Sequence, residues 1–379
     1  MKKFLDCISI VGATPSKFHG TKKYVSTGAV ATTEIDESEV VEVTYEDRPS
    51  RANLSAEAGD ILFAKMQGTR KTLLLDSETE KNIYSTGFYA VRANPEVITT
   101  ECLYYLIDSE LFLAQKDKNC SGATQKAITN GGMAKIEISV PPLSEQGILV
   151  DKLKHLTQLI ADKKKQLNLF DEIIKSRFIE LFGTEKEHDK WHCCTVSDVA
   201  DVCVGVVIKP TQYYTNIGIP AFRSLNIGEM CVNDADWVYF TEEGHRKNQK
   251  SVIRKNDVLV VRSGAPGKAC VATEKYAGYN AVDIIIAHPD NNKVNSVFLA
   301  AFTNMPHGMK QIRAKIGGAA QQHFNVGGYK AMHLITPPIE LQQAFAAFVE
   351  QVDKSKFEIQ QSLEKLEILK KSLMQQYFG

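Results

Sequence analysis

The chain of 379 residues carries 45 basic and 45 acidic side chains, a formal net charge of zero, with 44% hydrophobic and 24% charged residues. That balance fits an ordinary soluble globular protein of two or three domains and excludes a disordered or low-complexity chain. It gives no global attraction for nucleic acid or membrane, so any anion-binding face must be local.

Residues 1–140 read as a first globular domain with a mixed, β-rich core. Glu39 to Tyr45 alternates as a half-buried strand does, and Asp60 to Lys65 follows Ala58-Gly59 like a buried strand after a tight turn. Lys71 to Leu75 and Gly87 to Arg92 are further strand candidates. A helix is expected over Thr100 to Gln115, then the loop Ser121 to Lys126, then Gly131-Gly132 and a strand from Lys135 to Val140. No comparable opening element is visible before residue 20. Lys2 and Lys3 precede only a short apolar run that Asp6 interrupts, and no stretch reaches ~18 apolar residues, so a cytoplasmic protein without membrane contact is expected.

Residues 141–183 read as one long helix. Leu149, Leu153, Leu156, Ile160, Leu167, Phe170, Ile174 and Leu181 form a heptad stripe, Pro141-Pro142 suits a helix start, and Gly183 suits a stop. Residues 184–336 form a second β-rich domain. Trp191 to Val204 opens it, strands are expected over Ala221 to Ile227 and Asn256 to Arg262, and a helix over Ser296 to Thr303. Residues 337–379 are a second long helix with the stripe Val349, Val352, Ile359, Leu363, Leu366, Leu373 and Tyr377.

The chain is written twice. Pro337-Pro338 follows Pro141-Pro142 by 196 residues, and Gly379 follows Gly183 by the same 196. Gly122, Gln125, Gly131 and Gly132 likewise sit 196 residues before Gly318, Gln321, Gly327 and Gly328. Lys163 and Arg177 interrupt the first stripe where the second has Ile359 and Leu373, while Lys356 and Lys370 interrupt the second where the first has Ile160 and Ile174. Neither helix suits pairing with itself, so each is expected to pack mainly against the other. A helix of about 38 residues is roughly 57 Å long at 1.5 Å per residue, long enough to act as a spacer.

The cysteines, Cys7, Cys102, Cys120, Cys193, Cys194, Cys203, Cys231 and Cys270, show no framework spacing and suit a reducing compartment. His188, His192, Cys193 and Cys194 lack the paired spacing of a structural zinc site, so no metal is expected. Both Pro-Pro pairs lack the preceding Asn or Asp and the following aromatic of an amino-methyltransferase motif. The one Asp/Glu-x-Lys, Asp162 to Lys164, lies inside a helix, which argues against a magnesium nuclease. Gly264 to Ala269 looks faintly like a phosphate loop but lacks its spacing and Ser/Thr, and a turn is expected. No catalytic residue or cofactor site emerges.

The order of these parts resembles the specificity subunit of type I restriction–modification systems. The resemblance rests on the two Pro-Pro-Leu/Ile openings with Gln146 and Gln342, the strands at Gly59 and Asn256, the run Ile219 to Ile227, and the Gly-Gly approaches to each helix. It covers nearly the whole chain. It implies an α+β fold: two similar target-recognition domains separated by two long antiparallel coiled-coil helices with pseudo-twofold internal symmetry. It also implies double-stranded DNA as ligand and partnership with two modification (methyltransferase) subunits and two restriction (motor-nuclease) subunits. S-adenosylmethionine, ATP and Mg would then be used only by those partners, and this chain would be a non-catalytic recognition subunit. Lys163 to Lys165 and Glu364 to Glu367 are plausible docking faces for them.

Reading bases needs donors and acceptors toward a groove, with cations around them for phosphates. In the first domain the candidates are Lys22, Lys23 and Tyr24, then Lys65, Arg70 and Lys71 around Gly68, and Gln125 with Lys126. In the second they are Arg223 and Ser224, Arg262 and Lys268 around Gly264 and Gly267, and Gln321, Gln322 and His323. Arg246, Lys247, Lys250, Arg254 and Lys255 form a basic run that holds a backbone or merely lies in water. The competing class is a coiled-coil interaction scaffold carrying two ligand-binding domains not directed at DNA.

Overall fold

The computed structural model describes residues 1–316 and 323–379. In chain order the first half holds β1 (Lys2–Lys3), β2 (Ile8–Val11), β3 (Lys22–Val25), β4 (Val41–Val43), β5 (Ala52–Leu54), β6 (Ile61–Ala64), β7 (Thr72–Leu74), β8 (Ile83–Ser85) and β9 (Phe88–Ala93). Helices α1 (Thr100–Ile107), α2 (Glu110–Lys118) and α3 (Asn130–Met133), strand β10 (Glu137–Ile138) and the long α4 (Leu143–Phe182) follow. The second half begins with β11 (Cys193–Thr195), α5 (Val196–Val199), β12 (Ala200–Val204), β13 (Tyr214–Thr215), β14 (Ile219–Phe222), β15 (Val238–Phe240) and α6 (Glu242–Lys247). It continues with β16 (Val258–Val261), β17 (Ala269–Val271), β18 (Asn280–Ala281), β19 (Ile284–Pro289), α7 (Ser296–Asn304), α8 (Pro306–Ala314), α9 (Val326–Lys330), β20 (His333–Ile335) and α10 (Ile339–Phe378). The chain divides into two compact units, residues 1–164 with 360–379, and residues 165–359, so each unit takes about half of each long helix.

Both units follow one plan. A four-stranded sheet runs β2-β9-β6-β7 in the first and β12-β19-β16-β17 in the second. Its interior strand, Ile61 to Ala64 or Val258 to Val261, is buried at every residue, as an unbroken apolar run covered on both faces must be. A second sheet runs β4-β3-β8-β5 or β13-β15-β14-β18. A shift of 197 residues carries β3, β4 and β8 onto β14, β15 and β18, and the parallel pair Tyr24–Ile83 onto Ala221–Asn280. The copies part at the outer strand. Where the first makes β5, the second makes a short 3-10 helix, Gln249–Ser251. It follows directly on α6, which starts because Thr241 accepts a hydrogen bond from the Gly244 amide (3.0 Å) and Glu242 and Glu243 follow in the first turn.

The first domain opens earlier than its sequence suggests. Lys2–Lys3 pairs antiparallel with Glu137–Ile138, as Cys193–Thr195 pairs with His333–Ile335 in the second copy, and Phe4 behind it is fully buried. The helix expected over Thr100 to Gln115 is two helices. The Ser109 hydroxyl donates to the Leu106 carbonyl (2.6 Å) and accepts from the Phe112 amide (3.0 Å), ending one helix and capping the next. The strand expected from Ala221 to Ile227 stops at Phe222, because Asn226 accepts from the Arg223 amide (2.9 Å) and turns the chain into a short 3-10 helix. The strand expected over Glu39 to Tyr45 shrinks to Val41–Val43, and that over Lys135 to Val140 to Glu137–Ile138.

Both long helices form over 40 residues. Their starts are fastened in the same way. Buried Gln146 donates to the carbonyls of Val97 (3.0 Å) and Pro141 (2.9 Å) and accepts from the Thr99 amide (2.7 Å). Buried Gln342 donates to Pro337 (2.8 Å) and accepts from Asn295 (2.9 Å), 196 residues on from Thr99. This lock is why the glutamine recurs with the Pro-Pro.

Within each unit the two half-helices run in opposite directions. In the first, Leu149 and Leu153 share a core with Met374 and Phe378, and Lys164 pairs with Glu367 (3.1 Å). In the second, Phe178 and Phe182 share a core with Phe345 and Val349, and the seam-breaking Lys356 pairs with Asp171 (2.5 Å). The expectation that each helix packs mainly against the other needs correction. Phe178, Phe182, Phe345, Met374 and Phe378 are among the deeply buried helix residues that the heptad stripe leaves out, and they sink into the head cores beside Phe298, Phe302 and Phe112. Among the described residues no helix is long and apolar enough to cross a membrane.

Candidate nucleic-acid interface

In the first unit, β6 delivers the chain into the turn Lys65 to Arg70, and the segment after α2 returns alongside it. Met66 and Ala127 form an antiparallel bridge, the Ile128 amide donates to Lys65 (2.9 Å) and the Gln67 amide to Lys126 (3.0 Å). Gly122, at φ +133°, lets the returning loop close, since a Cβ there would stand 2.6 Å from the Gln125 carbonyl oxygen. Gln125 and Lys126 are thereby presented, exposed, beside Lys65 and Gly68. The turn is held from below by Lys116, a lysine the sequence analysis did not single out. Its buried ammonium donates to the carbonyls of Ala64 (3.2 Å), Met66 (2.8 Å) and Thr69 (2.7 Å), and burial pushes its pKa down. Half-buried Lys65 lies 4.3 Å from the centre of the Tyr89 ring, and burial lowers its pKa too.

The second unit repeats this edge with other side chains. Ser263 and His323 form the bridge that corresponds to Met66 and Ala127, and the Phe324 amide donates to Arg262 (3.0 Å). Arg262 pairs with Asp283 (2.5 Å), and the Ser263 hydroxyl lies 3.1 Å from Asp283 and 2.8 Å from His323 Nδ1. Asp283 sits at φ +49°, so a left-handed residue positions the carboxylate that holds Arg262 and Ser263, and His323 joins them through the Ser263 hydroxyl. Ser263 and Asp283 were missed by sequence reasoning. The one local signal was their place in, and opposite, the turn already singled out. Lys268 is exposed at the far side of that turn, and Gly264 to Ala269 is a turn as expected.

Other candidates are placed less openly. Arg70 is spent in a two-point contact with Asp108 (3.1 and 2.8 Å), which raises its pKa. Lys71 donates to the Thr27 carbonyl (2.6 Å), and Lys23 pairs with Glu37 (2.7 Å). Lys22 lies over the Phe18 ring at 5.3 Å. Tyr24 is a correction: its ring is buried in a small core with Val43, Ala52 and Ile83, on the strand face opposite to exposed Lys23. Arg223 donates to the Asp236 carbonyl, and Ser224 opens the short helix behind it. Gln321 and Gln322 lie outside the described residues. In the basic run, Lys247 and Lys255 pair with Glu243 and Glu274, while Arg246, Lys250 and Arg254 are exposed. Ile208 and Ile217, 80% and 88% exposed, are apolar side chains on the second head that the sequence analysis passed over.

Two α+β heads, each ending in the same two-loop edge and each fastened by a buried glutamine to a long helix, define a duplicated recognition fold. A model of the type I restriction modification DNA specificity domain matches residues 10–169 and again 188–370, so the chain belongs to that family and carries the domain twice. It is similar to the specificity subunit of a type I restriction enzyme from Methanocaldococcus jannaschii, 20% identical over 298 residues, covering 70% of this chain and 68% of that one. It is also similar to those named StySPI from Salmonella potsdam (21% over 346 residues, 84% and 74%) and EcoBI from Escherichia coli (22% over 300 residues, 70% and 63%). The fold resembles that of the type I restriction–modification S subunit from M. genitalium, with a TM-score of 0.52 at 13% identity over 100% of this chain and 95% of that one. It also resembles a chain from a structural study of type I complex assembly and conformational transition, with a TM-score of 0.56 at 18% identity over 98% and 97%.

Proposed function

We propose that this chain is the DNA sequence-specificity subunit of a type I restriction–modification complex. Each head reads one half of a bipartite, asymmetric target, and the paired long helices set the distance between the halves. The observation that carries this reading is the repeated two-loop edge. The same scaffold offers Gln125 and Lys126 beside Lys65 in one copy, and Arg262, Ser263 and His323 in the other. Equal frames with unequal donors suit two different base sequences rather than a palindrome. Half-sites about one turn apart need centres ~34–36 Å apart, which helices of 40 residues, roughly 60 Å at 1.5 Å per residue, are long enough to span.

The chemistry belongs to partners. Two modification subunits use S-adenosylmethionine on a base flipped from the stack, and two motor-nuclease subunits use ATP and Mg, all in the cytoplasm. This chain supplies the address and no catalytic group. Lys164 and Glu367, offered above as docking faces, already pair with each other, so docking there uses the remaining face of the helices.

Exchanging residues 1–140 for the corresponding head of another family member should change one half of the methylated motif and leave the other half and the spacing intact. Sequencing of methylated bases checks this, and a change in both halves would overturn the assignment of one head to one half-site. Against the scaffold reading, the chain with its modification partner should retain random duplexes in a gel shift that weakens steeply with salt. Absence of any such shift would remove DNA as the ligand.

A further inference from the structure

The duplication supplies its own comparison at one more place. In the second unit a hairpin closed by the bridge Ile227–Val232 lays Glu229 and Met230 against α4, and Glu229 pairs with Lys175 (3.1 Å). With Met305 of the head on the other side, the space left there is only about 20 Å³. In the first unit the hairpin recurs 197 residues earlier, closed by Val30–Ile35, with Thr32 and Thr33 where the second has Glu229 and Met230. These side chains are too short to reach the helix, and Thr33 bonds to Tyr104 instead.

The wall they leave uncovered corresponds to the filled one. Glu367, Lys370, Lys371 and Met374 lie 196 residues after Asp171, Ile174, Lys175 and Phe178, and an open groove of about 890 Å³ stands over them. Its floor is apolar through Leu111, Ile160 and Met374, and Ile368 on its rim is 67% exposed. Lys371 reaches across the mouth to Glu110 (2.6 Å), and Lys164 is paired with Glu367. Lys370 stands where the filled copy has Ile174. It lies over the Tyr105 ring at 5.8 Å; among the described residues it forms no ion pair within 4 Å, and burial lowers its pKa more than the longer-range charges of Asp108 and Glu367 raise it. A half-buried cation beside an apolar floor favours a ligand with one carboxylate and one apolar side chain.

We propose that this groove is a docking site for a turn of a partner polypeptide presenting a carboxylate followed by an unbranched apolar side chain, the pair that Glu229 and Met230 supply from within the second copy. Each chain then offers one such site, and the two units are not equivalent to a partner. The proposal does not rest on the DNA reading.

The probe is a backbone-cyclised peptide copying Ile227 to Val232, with serine replacing the cysteine, titrated by fluorescence anisotropy into the full chain. Saturable binding at one site is expected, with roughly tenfold weaker binding of the peptide carrying glutamine for its glutamate, as for loss of one charge-assisted contact. The graft Thr32→Glu with Thr33→Met, which installs the second copy's plug in the first, should abolish binding without lowering the melting temperature. Ile368→Asp, on an exposed rim position, should also abolish it. No saturation, or binding untouched by both variants, overturns the proposal. So does displacement of the peptide by random duplex, which would give the groove to nucleic acid, or self-association that the graft removes, which would give it to a second copy.

Discussion

Replacing Lys116 with alanine should destabilise the first unit by roughly 3 kcal/mol or more. The ammonium is buried and satisfies three backbone carbonyls at the turn after β6, and each acceptor left unpaired costs about 1–3 kcal/mol. Lys116→Met keeps most of the volume but none of the donors and should still cost roughly 2 kcal/mol. The second copy has Ile312 at this place, 196 residues on, and ties its turn differently, through the Gly267 amide to Val261 (3.0 Å). The loss should therefore be confined to one unit and show as an earlier first transition in urea. Because Lys65, Gln125 and Lys126 ride on that turn, the half-site assigned to the first head should degrade while the other half is still methylated. A Lys116→Met chain as stable as its parent would mean that the three carbonyls do not depend on the ammonium.

Raising the pH toward about 9 should weaken the second unit more than the first. Asp60 and Asp257 are buried at equivalent places, and each carboxylate caps the turn before its strand through the amide of Glu57 (2.8 Å) or Arg254 (2.6 Å). Their cations differ. Asp60 takes Arg92 (2.6 Å), whereas Asp257 takes His288 (2.6 Å), 196 residues after Arg92. The Asp257 carboxylate first, then the Cys203 thiol 3.7 Å away, raises the His288 pKa to about 9 from its ordinary 6.5. A folded-state pKa above the unfolded one contributes stability that is complete below about pH 6.5 and is lost as the pH climbs through about 9. A shift of that size corresponds to about 3 kcal/mol, with His288 only 13% exposed. The Arg92 guanidinium keeps its charge throughout, so the equivalent pair of the first unit has no such window. Calorimetry from pH 6 to 10 should show the second transition falling toward or below the first. His288→Arg, which copies the pair of the first unit, should flatten the profile, and an unchanged profile in that variant would refute the assignment.

These contrasts show which parts of the molecule its residues announced. The long helices were legible because their signals are local: Pro-Pro, a forty-residue apolar rhythm, a terminal glycine. The buried strands Ile61–Ala64 and Val258–Val261 were legible for the same reason, as short apolar runs after a turn. The recurring glutamine was visible, but its purpose was not, since its partners Val97 and Thr99 lie nearly fifty residues away. The common plan of the second sheets, exact in number over β3, β4 and β8, left almost no residue identities behind because sheet frames tolerate exchange of side chains that keep their burial.

The site was legible in outline only. Equivalent turns after equivalent strands singled out Lys65, Arg262, Gln125 and His323, and the fold brings them onto matching edges. What the cations do there depends on distant acceptors. Arg70 is claimed by Asp108, 38 residues on, and Arg262 by Asp283, 21 residues on. Charge alone could not separate a cation already spent on the fold from one still free for a ligand.

The spacing function is tested most directly by lengthening both long helices together. Four residues inserted after Lys164 and four after Gln360, equivalent places 196 residues apart, add about one helical turn and roughly 6 Å while nearly keeping the facing stripes. Mapping of methylated bases should then return both original half-sites with about two more base pairs between them. The same half-sites at the original spacing would contradict a helical ruler.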